Sequence, residues 1–419
     1  MSNHSVFRDR RCLRLAILLL TSIAVSLLSA CGGNSTNNNN PPSSTKNRAF
    51  ISNTFSGALQ IVDTQNDTTP MTQETTNSAG QVVPGSPVTI PVANTVTFQS
   101  ESPDHNTTVV YDPSTIALWF VTNSDETLAG SIALPGSTGM ALFSPDSTKL
   151  YVPMPNDPVS GGRPGVVAVI DIASQVITAT YAVPSARYVA ISPSGQYLLV
   201  FANNSDSVYL LNLTASTVSP VEIPGFAGPV NAFFNTNNTT AYVLNCGPEC
   251  GSTGAASVAQ LDIPTQTIQK MVTVGGASVG LMNGTTLYVA GSPVPPGTTS
   301  TYDAVDLTNL SRITAHSVAI SDGFHTTMAL NNNKLYIGAN TCTNTTTGCL
   351  SVVNVSDNVA DPPFPPMGAV TSILSIANRN VMYVIQGGYV NIYDTSTDTL
   401  QGTQLSFSGA LYSIVQVDQ

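Results

Sequence analysis

Few side chains in this sequence have the chemistry for catalysis, and those few are widely spaced. There are six Cys, four His and a single Trp among 419 residues. Four of the Cys, Cys246, Cys250, Cys342 and Cys349, form two short spacings inside Gly/Pro/Thr-rich segments. Four cysteines allow three pairings, and the spacing favours the local pairs Cys246–Cys250 and Cys342–Cys349. Zinc is the competing reading, but neither pair has a nearby His or a second CxxC. Each bridge would close a very short loop, so it should shape that loop more than stabilise the whole chain. Arg163, Arg187, Asp322 and His325 are the remaining polar candidates for a binding site. No Gly-rich phosphate loop, Ser-His-Asp order or HExxH occurs, so no catalytic residue, metal ligand or cofactor is assigned.

The bulk properties narrow the function classes. Charged residues are 9% and hydrophobic ones 42%, too apolar and too weakly charged for a disordered chain. Lys and Arg number 13 against 24 Asp and Glu, a net charge of -11, which argues against nucleic acid as a partner.

The N-terminus carries an address. Arg8, Arg10, Arg11 and Arg14 precede an apolar run over 15–30. As a helix that run is about 24 Å long, short for a hydrocarbon core, so a cleaved signal fits better than a membrane span. Arg10-Arg11 is only faintly similar to a twin-arginine signal, and the general secretion route is expected. The run ends in Leu28-Ser29-Ala30-Cys31, which resembles the lipobox of bacterial lipoproteins. The resemblance implies cleavage before Cys31 and acylation of that residue, an anchor made of several acyl chains. Gly32, with no Asp there, resembles lipoproteins sent to an outer membrane. Residues 31–47 are rich in Asn, Ser, Thr and Pro and read as a flexible tether. Loss of residues 1–30 removes four Arg and one Asp, taking the charge from -11 to -14. An acidic body is not drawn to anionic lipid, so the acyl chains must do the holding.

A repeat fills residues 48–419. A strand ending in Asp or Asn recurs, as in Gln60-Ile61-Val62-Asp63, Ala168-Val169-Ile170-Asp171 and Asn391-Ile392-Tyr393-Asp394. Eight copies, one ending in Thr122, recur at roughly 47 residues, a period of propeller blades. The Asp or Asn column is read as turn-forming, because a short acid or amide at a strand end can bond backbone N–H groups just ahead. Further strands precede each copy, among them Leu150-Tyr151-Val152, Tyr242-Val243 and Leu335-Tyr336-Ile337. No 3.6-residue apolar period follows Ala30, so almost no helix is expected.

These strands resemble the YVTN-type β-propeller repeat, although Tyr-Val-Thr-Asn itself is absent. The fold expected is all-β: one propeller of four-stranded antiparallel blades. Eight blades are expected, or seven if the irregular stretch 68–100 is an insertion. The phase of the repeat has the last strand complete the blade begun near Phe50, closing the ring.

The loops from second to third strands are long at 156–165, 246–255, 291–300 and 341–349. Arg187, Asp322 and His325 begin first strands on the same face, where they and Arg163 would form a polar axial funnel. His105 falls in an opposite-face turn and His316 on an outer strand. The functional expectation is a monomeric, lipid-anchored envelope scaffold binding a protein, glycan or small molecule. The alternative is a propeller enzyme with an axial active site, since lactonases, streptogramin lyases and quinoprotein dehydrogenases share the ring; fold alone does not choose.

Overall fold

The computed structural model describes Ser43, residues 45–157, 164–292, 300–341, 349–362, Phe364, 367–401, Leu405, Phe407 and 410–418. Cys31, the expected signal at 1–30, most of the tether, Arg163 and Cys342 lie outside the described residues.

The strands form eight antiparallel sheets arranged as the blades of a closed propeller. Blade 1 is built from both ends of the chain: Leu411–Gln416 innermost, then Arg48–Asn53, Ala58–Asp63 and Thr89–Pro91. Phe50 pairs with Val415 and Ile51 with Ile414, so the last strand seals the ring beside the first. The irregular stretch after Asp63 holds a small hairpin, Thr75–Thr76 with Val82–Val83. It is an insertion before the outer strand of blade 1 and does not reduce the blade count to seven. Blade 6 departs from four strands: two short segments, Ser311–Arg312 and Val318–Ile320, share the edge of Ser300–Asp306. Among the described residues the only helical element is a 3-10 turn at Gly247–Cys250.

The core is a set of eight layers, one between each pair of neighbouring blades. This explains the unbroken apolar runs of the middle strands. In Tyr197–Ala202, Leu198 and Val200 pack toward blade 3 while Leu199 and Phe201 pack toward blade 5. Side chains alternate between two faces, and both faces are buried. The outer strands have one covered face, so Val176–Ala182 alternates exposed and half-buried along its whole length.

The Asp/Asn column does what a turn-former should. Backbone N–H groups two or three residues on donate to Asp63, Asp171, Asn212, Asp262, Asp306, Asn354 and Asp394 at 2.8–3.1 Å. Opposite the loop-rich face, the Ser43 N–H donates to Glu126 Oε2 at 2.7 Å, just before the chain joins the ring at Arg48.

Candidate functional site

The innermost strands carry a repeated irregularity. In blade 4, Ala186 pairs with Ala202 and Tyr188 with Phe201, which leaves Arg187 as the extra residue of a bulge. The same shift leaves Val230 extra in blade 5, Thr326 in blade 7 and Thr371 in blade 8. Blade 1 shifts between Leu411 and Ile414, at Tyr412 and Ser413. A bulge bends its strand and re-aims side chains. All these residues line one axial cavity of about 520 Å³, to which every blade contributes. It opens on the face of the long second-to-third loops, since Pro155, Asn203 and Asn340 from those connections also line it.

Among the described residues, Arg187 is the charged side chain of this wall, and no Asp or Glu lines it. Its Nη1 donates to Asn203 Oδ1 at 3.0 Å, and its guanidinium lies 4.7 Å from the Tyr188 ring centre. Arg48, Arg312 and Arg379 are in ion pairs; Arg187 is the described arginine that is not. A cleft of about 290 Å³ adjoins the cavity, sharing Arg187, Tyr188 and Asn203 and adding Glu249 and Cys250.

Glu249 reaches this cleft because its loop is tied. The disulfide Cys246–Cys250, with Cα atoms 5.6 Å apart, encloses the 3-10 turn, and Gly251 ends it with φ +82°. The Cys246 N–H donates to the Gly228 carbonyl, docking the loop beside the first strand of blade 5. Ser292 N–H donates to Glu249 Oε2 at 2.8 Å, while Oε1 is buried without a hydrogen bond. Burial pushes the Glu249 carboxyl up to about 7, against the opposing pull of the Ser292 N–H and Ser278 hydroxyl. Cys349 is also disulfide-bonded, and its expected partner Cys342 lies outside the described residues.

Of the sequence candidates, Arg187 and His325 share the cavity wall. His325 is fully buried, and neither ring nitrogen makes a hydrogen bond of normal geometry. Burial pushes its pKa down to about 4, although Ser321, Gly323 and Asp322 favour the protonated ring, so it is neutral at pH 7. Asp322 is buried near this histidine and does not line the cavity. Arg163 lies outside the described residues, so nothing is assigned to it. His105 sits in the opposite-face turn of blade 2, bonded to Glu101 at 2.6 Å, and His316 lies beside the outer edge of blade 6. The sequence reading missed Glu249 and Thr371, whose buried Oγ1 also lacks a partner. The acid inside the CxxxC spacing was the available signal for Glu249; nothing in the sequence marked Thr371. Among the described residues no three His, Cys, Asp or Glu side chains converge as a metal site.

The comparisons speak to the fold. No protein-family model and no curated protein sequence matches this chain. Among solved structures it is similar to the dihydro-heme d1 dehydrogenase NirN, with TM-score 0.64 and 10% identity, over 92% of this chain and 78% of that one. It is also similar to the hydrazine synthase of Kuenenia stuttgartiensis, with TM-score 0.53 and 14% identity, over 74% and 95% of the two chains. A protein of unknown function from Desulfotomaculum acetoxidans gives TM-score 0.52 and 13% identity, over 89% and 99%. At such identities the likeness defines the class, an eight-bladed β-propeller, and assigns no activity.

Proposed function

We propose that this protein is a lipid-anchored, monomeric binding propeller of the bacterial envelope. Cys31 carries the lipid, and the axial mouth takes a small ligand. The observation that carries the binding reading is the set of bulged inner-strand residues, Arg187, Val230, Thr326 and Thr371, gathered around one cavity. Its volume of about 520 Å³ falls in the range of ligand pockets, and its wall mixes aromatic faces with a few polar groups. The envelope reading rests on the Leu28-Ser29-Ala30-Cys31 motif and the tether composition. The test is native mass spectrometry of the full-length protein after exposure to small-molecule extract of an envelope fraction. A retained mass that disappears in Thr326→Trp, which plugs the mouth, supports the reading. Binding indifferent to the plug removes the ligand from the axis.

An axial enzyme is the second reading. Glu249, with a carboxyl titrating near neutrality on the same cleft wall as Arg187, is the observation in its favour. The similar structures named as a dehydrogenase and a synthase show that this ring can belong to enzymes. Turnover in a substrate screen, abolished by Glu249→Gln, would move the assignment to catalysis.

A further inference from the structure

We propose that the cleft between blades 4 and 5 is an oxyanion subsite, holding the carboxylate or phosphate group of a small organic ligand on Arg187, with Glu249 on the same wall setting its charge. This rests on the axial mouth being the binding site, and it adds the charge and chemistry of what binds there.

Three observations converge. The first is electrostatic. In a chain of net charge -11, Arg48, Arg312 and Arg379 are each matched by a carboxylate. Among the described residues Arg187 has no such match and stands where the larger cavity wall carries no acid. The second is preorganisation. The bond to Asn203 and the contact with Tyr188 hold the guanidinium in place, and among the described residues no carboxylate takes its remaining donors. A planar fork held this way matches a carboxylate or phosphate edge. The third is Glu249, whose buried Oε1 has no hydrogen-bond partner and whose residue forms part of the same cleft wall. In its neutral form this carboxyl adds no negative charge to the cleft wall, so the Arg187 charge stands unopposed there.

The groups facing Glu249 fix the sign of the pH response. They are the Ser292 N–H, the Ser278 hydroxyl and the Cys246 sulfur at 4.0 Å, with Arg187 elsewhere on the cleft wall. Among the described residues no carboxylate contributes to its shift. Below about 7 the group is neutral and leaves the anion unopposed; above it, the negative carboxylate repels an anion. Binding therefore weakens as pH rises through neutrality, the opposite of a site made from arginine alone, which is flat there.

Calorimetry on the full-length protein with benzoate, its uncharged counterpart benzamide, and inorganic phosphate tests this. Benzoate or phosphate should bind at pH 6 about tenfold more tightly than benzamide, the discrimination expected of a charge-assisted hydrogen-bonded pair. The preference for benzoate, which stays fully ionised, should shrink at pH 8. Arg187→Gln should erase it, Arg187→Lys should keep part of it, and Glu249→Gln should make it independent of pH; phosphate is compared at pH 6 alone, because its own second ionisation lies in this range. Tighter phosphate than benzoate assigns the subsite to phosphate esters, and the reverse to carboxylates; both support it. Equal binding of benzoate and benzamide, no binding of any anion, or anion binding unchanged in Arg187→Gln overturns the subsite. Loss of an extract-derived mass in the plugged variant would still stand in those cases, which separates failure of the subsite from failure of the axial mouth.

Discussion

Arg48 and Asp418, 370 positions apart, form a two-pronged ion pair across the seam of the ring. Nε lies 2.7 Å from Oδ2 and Nη2 lies 2.9 Å from Oδ1. The Arg48 side chain is only 9% exposed, and its Nη1 donates to Glu126 at 2.9 Å and to the Asn123 carbonyl. The seam is thus closed twice: by strand pairing and by a nearly buried charge network that ties blade 1 to blade 2.

Asp418→Ala should strand that cation with half its partners. Removing one member of a fully buried pair costs about 3–5 kcal/mol, and a loss of about 1–3 kcal/mol is expected here because Asp418 is 29% exposed and Glu126 remains. Chemical denaturation at neutral pH measures it. Burial raises the Asp418 pKa, but the hydrogen bonds from Arg48 outweigh it and hold the carboxyl below the usual aspartate range. The sign follows: this contribution is complete above the unfolded aspartate pKa and is lost as pH falls through the lower folded value. Asp418→Asn should accordingly flatten part of the acid limb of a stability–pH curve.

His325 gives an acid response at higher pH. Its folded pKa is pushed down to about 4 from 6.5. Between those values the unfolded chain binds more protons, so stability falls as pH drops from about 6.5 toward 4. His325→Leu removes two unpartnered nitrogens from a buried position. It should leave stability at pH 7 within about 1 kcal/mol and reduce the loss between pH 6.5 and 4, read by thermal melts across that range.

Reduction of Cys246–Cys250 should be local. The bridged residues are four apart, so little chain entropy is at stake and the double Cys→Ser variant should lose less than about 2 kcal/mol. The loop that carries Glu249 should loosen instead. Hydrogen exchange should rise across 246–257 and stay unchanged in the opposite-face turns.

Acylation at Cys31 predicts that the full-length protein partitions into detergent and that its mature mass includes acyl chains. Cys31→Ser should release it to the aqueous phase.

The architecture was legible because each repeat repeats its physics. Buried middle strands such as Val166–Asp171 demand apolar residues at successive positions, and the tight turn after each demands Asp or Asn. Both demands are local and recur eight times. The phase of the repeat placed the seam, because an unpaired strand at each end has only the other to pair with. The mouth was less legible. Whether Arg187 projects into the axis depends on a one-residue register shift against Ala202 and Phe201, and nothing in Ala186-Arg187-Tyr188 announces a bulge. Glu249 was hidden because its raised pKa comes from burial that exists only in the folded ring, and its hydrogen-bond partner, Ser292, is more than forty residues away. His325 was placed on the correct wall, yet its burial depends on packing that a repeat pattern does not encode.

The blade built from distant parts of the chain sets a condition on folding. Arg48–Asn53 is the earliest ring strand in the chain, and its inner mate, Leu411–Gln416, lies beyond all the other blades. Until that mate arrives, the inner edge of the first sheet is bare and seven blades have no circle to join. Loss of Leu411–Gln416 would leave the bare edge for a neighbouring molecule to occupy.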